Sequence, residues 1–441
     1  MASDWPTVRL GDYCKKIGSG ATPRGGKETY SESGGFALIR SQNVYNDGFS
    51  RNGLAFISAI QAKALDGVTV QTGDVLVNIT GDSVARVCLA PESVIPARVN
   101  QHVAIVRPDR SHFDPQFIRY FLASPFQQER LLSLASIGAT RSALTKGMLE
   151  SIEIPKPEIE VQRDLVAPLW ALESKVEILR QTNATLEAIA EALFKSWFVD
   201  FDPVRARAEG REPEGMDATI AAIFPSELED SELGPVPKGW QSVEFGEIAV
   251  LSKGTVNPAL IPHKLFRHYS LPAFDAGQLP TIEGGEAIKS NKTPVPSGAV
   301  LVSKLNPHIP RIWFVGDAGE GAVCSTEFLV WLPKSGVGSA FVYCMAASSA
   351  FNSAMRQLVT GTSNSHQRVK PDQLAKVKGA VVSDESIMRF EEIVAPILQK
   401  VEQNRRLAAV LGDLRDTLLP RLISGKLRLP DAESIIKEVT A

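Results

Sequence analysis

Gly73-Asp-Val-Leu-Val-Asn78 is followed, 13 residues after its glycine, by Arg86-Val-Cys-Leu89; the same arrangement returns as Gly298-Ala-Val-Leu-Val-Ser303 and Arg311-Ile-Trp-Phe314. Both pieces shift by 225 residues. Val99-Asn-Gln-His-Val-Ala-Ile-Val-Arg-Pro108 falls on Cys324-Ser-Thr-Glu-Phe-Leu-Val-Trp-Leu-Pro333 at that same shift. A glycine leading into apolar and alternating residues predicts strand, turn, strand. A repeat this long means two similar domains rather than a solenoid of short units. The entry segments Trp5-Pro-Thr-Val-Arg-Leu-Gly-Asp12 and Trp240-Gln-Ser-Val-Glu-Phe-Gly-Glu247 pair at a shift of 235, so ten residues are gained or lost between, in loops.

Each β-rich block runs into a helical pattern. Steps of four and three from Leu165 reach Leu169, Leu172, Val176, Leu179, Asn183, Leu186, Ala190, Leu193 and Trp197. The same steps from Phe390 reach Val394, Ile397, Val401, Asn404, Ala408, Leu411, Arg415, Leu418 and Leu422. Apolar seams sustained this long are expected to bury against each other as an antiparallel coiled coil. Asn183 and Asn404 would set its register, although they do not align at the 225 shift. Pro168 and Pro396 are expected to open the long helices, where a missing N–H is harmless, and Pro420 to kink or end the second. Residues 201–238 have the Pro, Gly, Glu and Asp content of a connector, with a short helix around Met216–Phe224. The reading is an α+β chain of two β-rich globular domains, joined by two long helices and related by an internal pseudo-twofold repeat. Its parts are 1–155, a helical region 156–200, a linker 201–238, a second domain 239–380, a second helical region 381–425 and a tail 426–441.

A chain of 441 residues suits two or three cores. Its net charge of −3 hides a segregation: residues 1–150 hold 16 Lys/Arg against 13 Asp/Glu, and residues 239–380 hold 13 against 9. Two mildly basic blocks fit phosphate neutralisation. The four cysteines form no CxxC pair, which argues against a disulfide framework or a cysteine zinc site and fits a reducing cytoplasm. No secretory pattern is visible at the start, and no run approaches the roughly 18 apolar residues that span a bilayer.

No catalytic constellation assembles. HExxH, GxxxxGK[ST], GxSxG and a strand-borne GxGxxG are all missing. His263 and His268 lack a neighbouring carboxylate set, so no metal site is expected. Asn306-Pro307-His308 lacks the second proline and the aromatic of an adenine-methyltransferase motif. Residue types that read base edges or phosphates do cluster in both blocks. In the first they are Lys15, Lys16, Arg24, Arg40, Gln42, Asn43, Asn78, Thr80, Arg141 and Ser142. In the second they are Lys253, Lys264, Arg267, Lys292, Lys304, Asn306 and the polar run Ser363, Asn364, His366, Gln367, Arg368. Each single cluster could equally be a solvated loop; the repeat favours them as a set.

Three further stretches carry a family resemblance: Leu186-Glu-Ala-Ile-Ala-Glu-Ala-Leu-Phe-Lys-Ser-Trp-Phe-Val-Asp-Phe-Asp-Pro-Val-Arg205, Ser231-Glu-Leu-Gly-Pro-Val-Pro-Lys-Gly-Trp240 and Leu418-Leu-Pro-Arg-Leu-Ile-Ser-Gly-Lys-Leu427. Set around two matched blocks, they resemble the specificity subunit of type I restriction–modification systems along the whole chain. The resemblance implies two target-recognition domains, each binding one half of a split, asymmetric site in double-stranded DNA. The helices would act as a ruler: the seam from Leu165 to Trp197 is about 50 Å of helix, on the order of 15 base pairs. It also implies a cytoplasmic, non-catalytic subunit assembling with two methyltransferase and two restriction (motor) subunits, with no membrane partner. S-adenosylmethionine, ATP and Mg would belong to those partners and no cofactor to this chain. The outer helix faces, including Trp197, Phe198 and Phe201, would offer the docking surface, or these aromatics would close the helix pair internally. The competing reading is a coiled-coil adaptor whose β-rich domains bind protein or carbohydrate.

Overall fold

The computed structural model describes residues 5–136, 142–231, 234–359 and 367–440. The chain divides into two compact units, one of residues 1–176 with 410–441, the other of residues 177–409.

In the first unit, an antiparallel sheet orders its strands as Cys14–Ser19, Val103–Pro108, Val75–Asn78 and Val87–Leu89. The Val-rich runs are strands because they are buried: Val75, Leu76 and Val77 are wholly inaccessible, as are Val103, Ile105 and Val106. A second sheet orders Ala55–Ile57, Phe36–Ile39 and Ala97–Val99, the last pair parallel. Ala37, Ile39, Leu76, Val99 and Ile105 share one core between these sheets. Helices Pro115–Ala123 and Pro125–Ser136 follow.

The second unit repeats this plan. Ala249–Leu251, Phe328–Pro333, Ala299–Ser303 and Ile312–Val315 form the antiparallel sheet in the corresponding order. The other sheet orders Thr281–Gly284, Leu265–Tyr269, Ala322–Cys324 and Thr293–Pro294, with one parallel pair at the matching place. Helices Ser339–Ala347 and Ser349–Gln357 complete it. The connector-like stretch 201–238 is built into this unit. It carries helices Asp202–Ala208 and Ala218–Ala222, and its Val204, Phe224 and Val236 lie in the large core with Trp240 and Phe341. Apolar residues spaced through a Pro/Gly-rich stretch are enough to dock it.

Two 40-residue helices, Ile159–Phe198 and Asp384–Ile423, each contribute to both units. Within the second unit they pair in opposite directions: Asn183 meets Asn404, while Phe194 and Trp197 meet Phe390 at ring distances of 5.9 Å. The Asn404 amide donates to the Asn183 carbonyl oxygen at 2.9 Å, and the Asn183 amide donates to the Val401 carbonyl at 3.1 Å. The asparagines do not align at the repeat shift because an antiparallel pair relates positions by reversal, not by translation. In the first unit, Leu165, Leu169, Leu172 and Val176 are buried, as are Leu411, Leu418 and Leu422.

Several expectations about the helices need correction. Pro168 lies inside its helix rather than opening it. The start is set upstream by buried Gln162, which donates to the His112 and Pro157 carbonyls and accepts from the Asp114 N–H, each at 2.9 Å. Pro396 is likewise internal, because a reciprocal Ser383–Ser386 capping pair at 3.0 and 3.2 Å starts that helix. Pro420 does not end it at once, since the helix runs on to Ile423. The second seam also shifts phase: Ile397 is half-buried while Leu398 is buried, and Leu414 replaces Arg415. Leu186 and Leu193 are half-buried, and Leu179 is buried. Residues Leu429–Thr440 form a last helix.

Candidate nucleic-acid interface

The repeated hairpins carry the most closely matched geometry. In the first unit, Asn78 N–H donates to Arg86 O (2.8 Å), Ile79 N–H to His102 O (2.9 Å), Leu144 N–H to Ile79 O (2.8 Å) and Gly81 N–H to Ser142 O (3.3 Å). In the second, Ser303 donates to Arg311 (3.0 Å), Lys304 to Glu327 (2.9 Å), Val369 to Lys304 (3.0 Å) and Asn306 to Gln367 (2.8 Å). Every donor and acceptor of one set lies 225 residues from its counterpart. Each hairpin tip is thus pinned by a segment returning from later in the chain, with bridges Thr80↔Ala143 and Leu305↔Arg368. The turn needs a left-handed residue at one matched place. Gly81 takes it with φ +77°, and Asn306, the side chain that best tolerates this region, with φ +51°.

The frame is common and the side chains on it differ. Around the first tip stand Thr80, Ser83, Arg86, His102 and Ser142; Thr80 Oγ1 lies 2.5 Å from His102 Nδ1. Arg86 spreads its guanidinium over the Tyr45 ring, 4.7 Å from the centroid. Around the second stand His308, Arg311, Gln367 and Arg368. Arg368 forms two bonds to Glu327 (3.1 and 3.0 Å), which raises its pKa. Arg311 forms two bonds to Asp275, at 2.7 and 2.8 Å. Arg86, His102, Arg311 and His308 were not singled out from sequence. The signal existed for two of them, since each matched strand opens on its arginine.

Of the candidates in the first block, Thr80 and Ser142 meet at the tip. Asn78 is adjacent but fully buried, donating to Ser41 O at 2.8 Å, so it braces the hairpin instead of reading a ligand. Through that bond the Arg40–Asn43 turn joins the same region. Asn43 is also fully buried: it accepts from Arg40 N–H at 3.0 Å and donates to Ser50 O at 2.9 Å, holding the turn. Gln42 and Arg40 both donate to Gly53 O. Lys15 and Lys16 belong to the far end of the sheet, since Pro108 pairs with Cys14 whereas Val103 pairs with Asn78. There Lys15 faces Asp109 at 3.4 Å and Lys16 donates to Gly67 O. Arg24 is exposed on a separate loop. Arg141 lies outside the described residues.

In the second block, Lys304, Asn306, Gln367 and Arg368 come together at the tip, while Ser363, Asn364 and His366 lie outside the described residues. Lys253 is exposed beyond strand Ala249–Leu251, and Lys264 faces Glu320 at 3.8 Å. Arg267 is half-buried on a strand paired with Ile282. Lys292 is a correction. It is 7 % exposed and bonded to Ser290 Oγ at 2.6 Å, and burial lowers its pKa. Burial likewise lowers the pKa of His268, against the pull of Glu283 at 3.2 Å.

Trp197, Phe198 and Phe201 are corrected as well. They are 2, 1 and 6 % exposed, packed with Phe224, Trp240 and Phe390, so they close the core instead of offering a face. Among the described residues, no group of three or more His, Cys, Asp and Glu is placed to hold a metal ion, and no helix is long and apolar enough to cross a membrane.

Comparison with known proteins shows what this chain is similar to. Residues 2–188 match the family model described as type I restriction modification DNA specificity domain. The specificity subunit of the type I restriction enzyme HindI from Haemophilus influenzae is 22% identical, with 96% of this chain and 100% of that protein covered. That of MjaIX from Methanocaldococcus jannaschii is 23% identical over 72% of this chain and 70% of its own length. Among solved structures, the type I restriction–modification S subunit from M. genitalium shares the fold, with a TM-score of 0.62 and 16% identity over 95% of this chain and 96% of that one. Residues 2–188 are thus similar to the type I restriction modification DNA specificity domain, and the chain is similar to a whole type I specificity subunit over nearly its full length.

Proposed function

We propose that this protein is the DNA-reading, non-catalytic subunit of a type I restriction–modification complex, each β-rich unit reading one half of a split, asymmetric target. The observation that carries the reading is the pair of hairpin tips. Their backbone bonds repeat at a fixed shift while their side chains differ, which suits one scaffold presenting two different sequence preferences. Donors and acceptors at the tips, among them Arg86, Ser142, Asn306 and Gln367, are of the types that read base edges in the major groove. The paired long helices would serve as the spacer between the half-sites.

Methyl transfer and cleavage would come from two methyltransferase and two restriction subunits, with S-adenosylmethionine, ATP and Mg bound there. The buried aromatics leave another surface for docking. Ile178, Thr182, Thr185, Ile189, Ala192 and Ser196 recur at steps of four and three along the first long helix without a charge, and Ile178 and Ile189 are 54 and 42 % exposed. A solvent-facing helix row normally carries charge, so this row suits a protein partner.

The test is selection from a randomised duplex library by the full chain copurified with its methyltransferase partner. A motif of two defined parts around an undefined spacer is expected; recovery of no preferred sequence overturns the reading. Methyl transfer by the isolated chain would contradict its non-catalytic part.

A further inference from the structure

The hairpin tip of the first unit is tied to the long helices by an unbroken series of hydrogen bonds. It starts at Glu173, on helix Ile159–Phe198, which lies 3.7 Å from Arg415 and accepts from the Tyr120 hydroxyl at 2.8 Å. Arg119, only 4 % exposed, grips both oxygens of Glu173 at 2.8 and 2.6 Å. Its Nη2 also donates to Asn46 O at 2.6 Å.

Asn46 passes the connection on twice. Its Oδ1 accepts from Val87 N–H in the hairpin at 2.8 Å, and its Nδ2 donates to Gln128 Oε1 at 3.1 Å. Gln128 then donates to Ala85 O at 2.8 Å and to Leu122 O at 2.7 Å. Ala85 is fully buried, has φ +71°, and donates to Asn78 O at 2.8 Å inside the tip. A left-handed alanine is strained, and such a conformation persists only where its surroundings over-determine it. The Gln128 amide on its carbonyl and the bond from its own N–H are those surroundings.

We infer that Asn46 and Gln128 are positioning residues for sequence reading by the first unit: they hold the bend at Ala85, and with it Thr80 and Arg86, in a fixed orientation to the helix that carries Glu173. This rests on the DNA-reading role proposed above. Neither residue reads bases. Their effect is on how sharply the tip discriminates, because a site looser by a fraction of an ångström accepts wrong bases.

The experiment uses the full chain with its methyltransferase partner and the same randomised duplex library, comparing wild type with Gln128→Leu. One part of the two-part motif is expected to lose on the order of tenfold in discrimination, the effect of removing partners from buried polar groups, while the other part and the spacer stay as they were. Amide exchange at Ala85 and Val87 accelerates in parallel, with the second unit unaffected. Equal sharpness in both parts, or equal blurring of both, overturns the inference. If Gln128→Leu does not fold, Asn46→Asp keeps the acceptor for Val87 N–H and removes the amide donor to Gln128, and the same outcomes decide. If wild type selects no DNA, the functional reading fails by itself, and tip amides as protected in the variant as in wild type would still overturn the relay.

Discussion

The two units hold matching tips with opposite chemistry. The first relies on buried, directional bonds: Glu173, Arg119, Asn46 and Gln128, ending on a left-handed alanine. The second packs Trp313 against Tyr269, Phe274 and Phe328, and Phe314 against Tyr343, under more exposed ion pairs such as Arg368–Glu327. Apolar packing tolerates substitution when volume is kept, whereas a buried polar network fails when one member goes. One frame can therefore be stiffened in two ways, and the two tips should respond differently to mutation, pH and salt.

The largest contrast is expected from removing one acid in each unit. Glu173→Ala strands the Arg119 guanidinium in the interior and should cost about 3–5 kcal/mol. Glu327→Ala disrupts a pair whose arginine is 45% exposed, and should cost far less, a loss that added salt erases. Urea unfolding followed by unit-resolved amide exchange measures both; equal losses would remove the contrast.

Next in size is the asparagine pair of the second unit. Asn404→Ala leaves the buried Asn183 oxygen without its donor and should cost about 1–3 kcal/mol. Replacing both by leucine should be close to neutral or stabilising in thermal melts, because no polar group is then left buried. A large loss in the double variant would mean the pair does more than satisfy itself.

A smaller difference follows from pH. Glu391 accepts from Ala340 and Phe341 N–H at 3.1 and 2.9 Å, the place that uncharged Gln162 fills in the first unit by accepting from Asp114 N–H. Burial raises the Glu391 pKa above its ordinary 4.5, and that of Glu402 likewise. The native state then binds the proton more tightly than the unfolded chain. The stability from this group is fully present below the ordinary pKa, is lost as pH rises through the raised value, and is constant above it. Carboxylates with lowered pKa, such as Glu283 and Asp317, act in the window below their ordinary values. The second unit should therefore weaken as pH climbs above about 4.5, and Glu391→Gln should flatten that slope; an unchanged slope would clear Glu391 of the effect.

The smallest effect is expected at the bend itself. Ala85→Gly relieves the left-handed strain but frees the unfolded chain, so the melting temperature should rise slightly, by well under about 1 kcal/mol of stability. A clear loss would show that the alanine methyl packs usefully.

The repeat, the strands and the existence of two long helices were legible in the sequence. Val75–Val77 and Ala299–Val302 are apolar and buried at every position, and that pattern survives whatever surrounds them. The helix starts were misread because proline was weighed above capping: the Ser383–Ser386 pair is a local signal that went unread, whereas Gln162 acts through distant contacts with His112 and Asp114. The phase of the second seam slipped at Ile397 and Arg415 because steps of three and four can be ordered in more than one way, and only the facing helix chooses. Trp197, Phe198 and Phe201 were left open between a docking face and internal closure, because an aromatic run reads alike whether it meets another protein or its own Trp240.

At the candidate site, Thr80, Ser142, Asn306, Gln367 and Arg368 were found by type and repeat, whereas Asn43, Asn78 and Lys292 have the same chemistry but are spent inside the fold. Residue type alone determined which groups could bind a nucleic acid, and periodicity determined that there would be two copies of one frame. Tertiary structure decided which groups face outward, and that Asn46 and Gln128, unremarked in the sequence, brace the first tip. The reason is physical. Periodicity records burial, which is a property of each residue averaged over its surroundings. A hydrogen bond between positions 46 and 128 depends on both ends arriving within 3.1 Å, and no local pattern encodes that meeting.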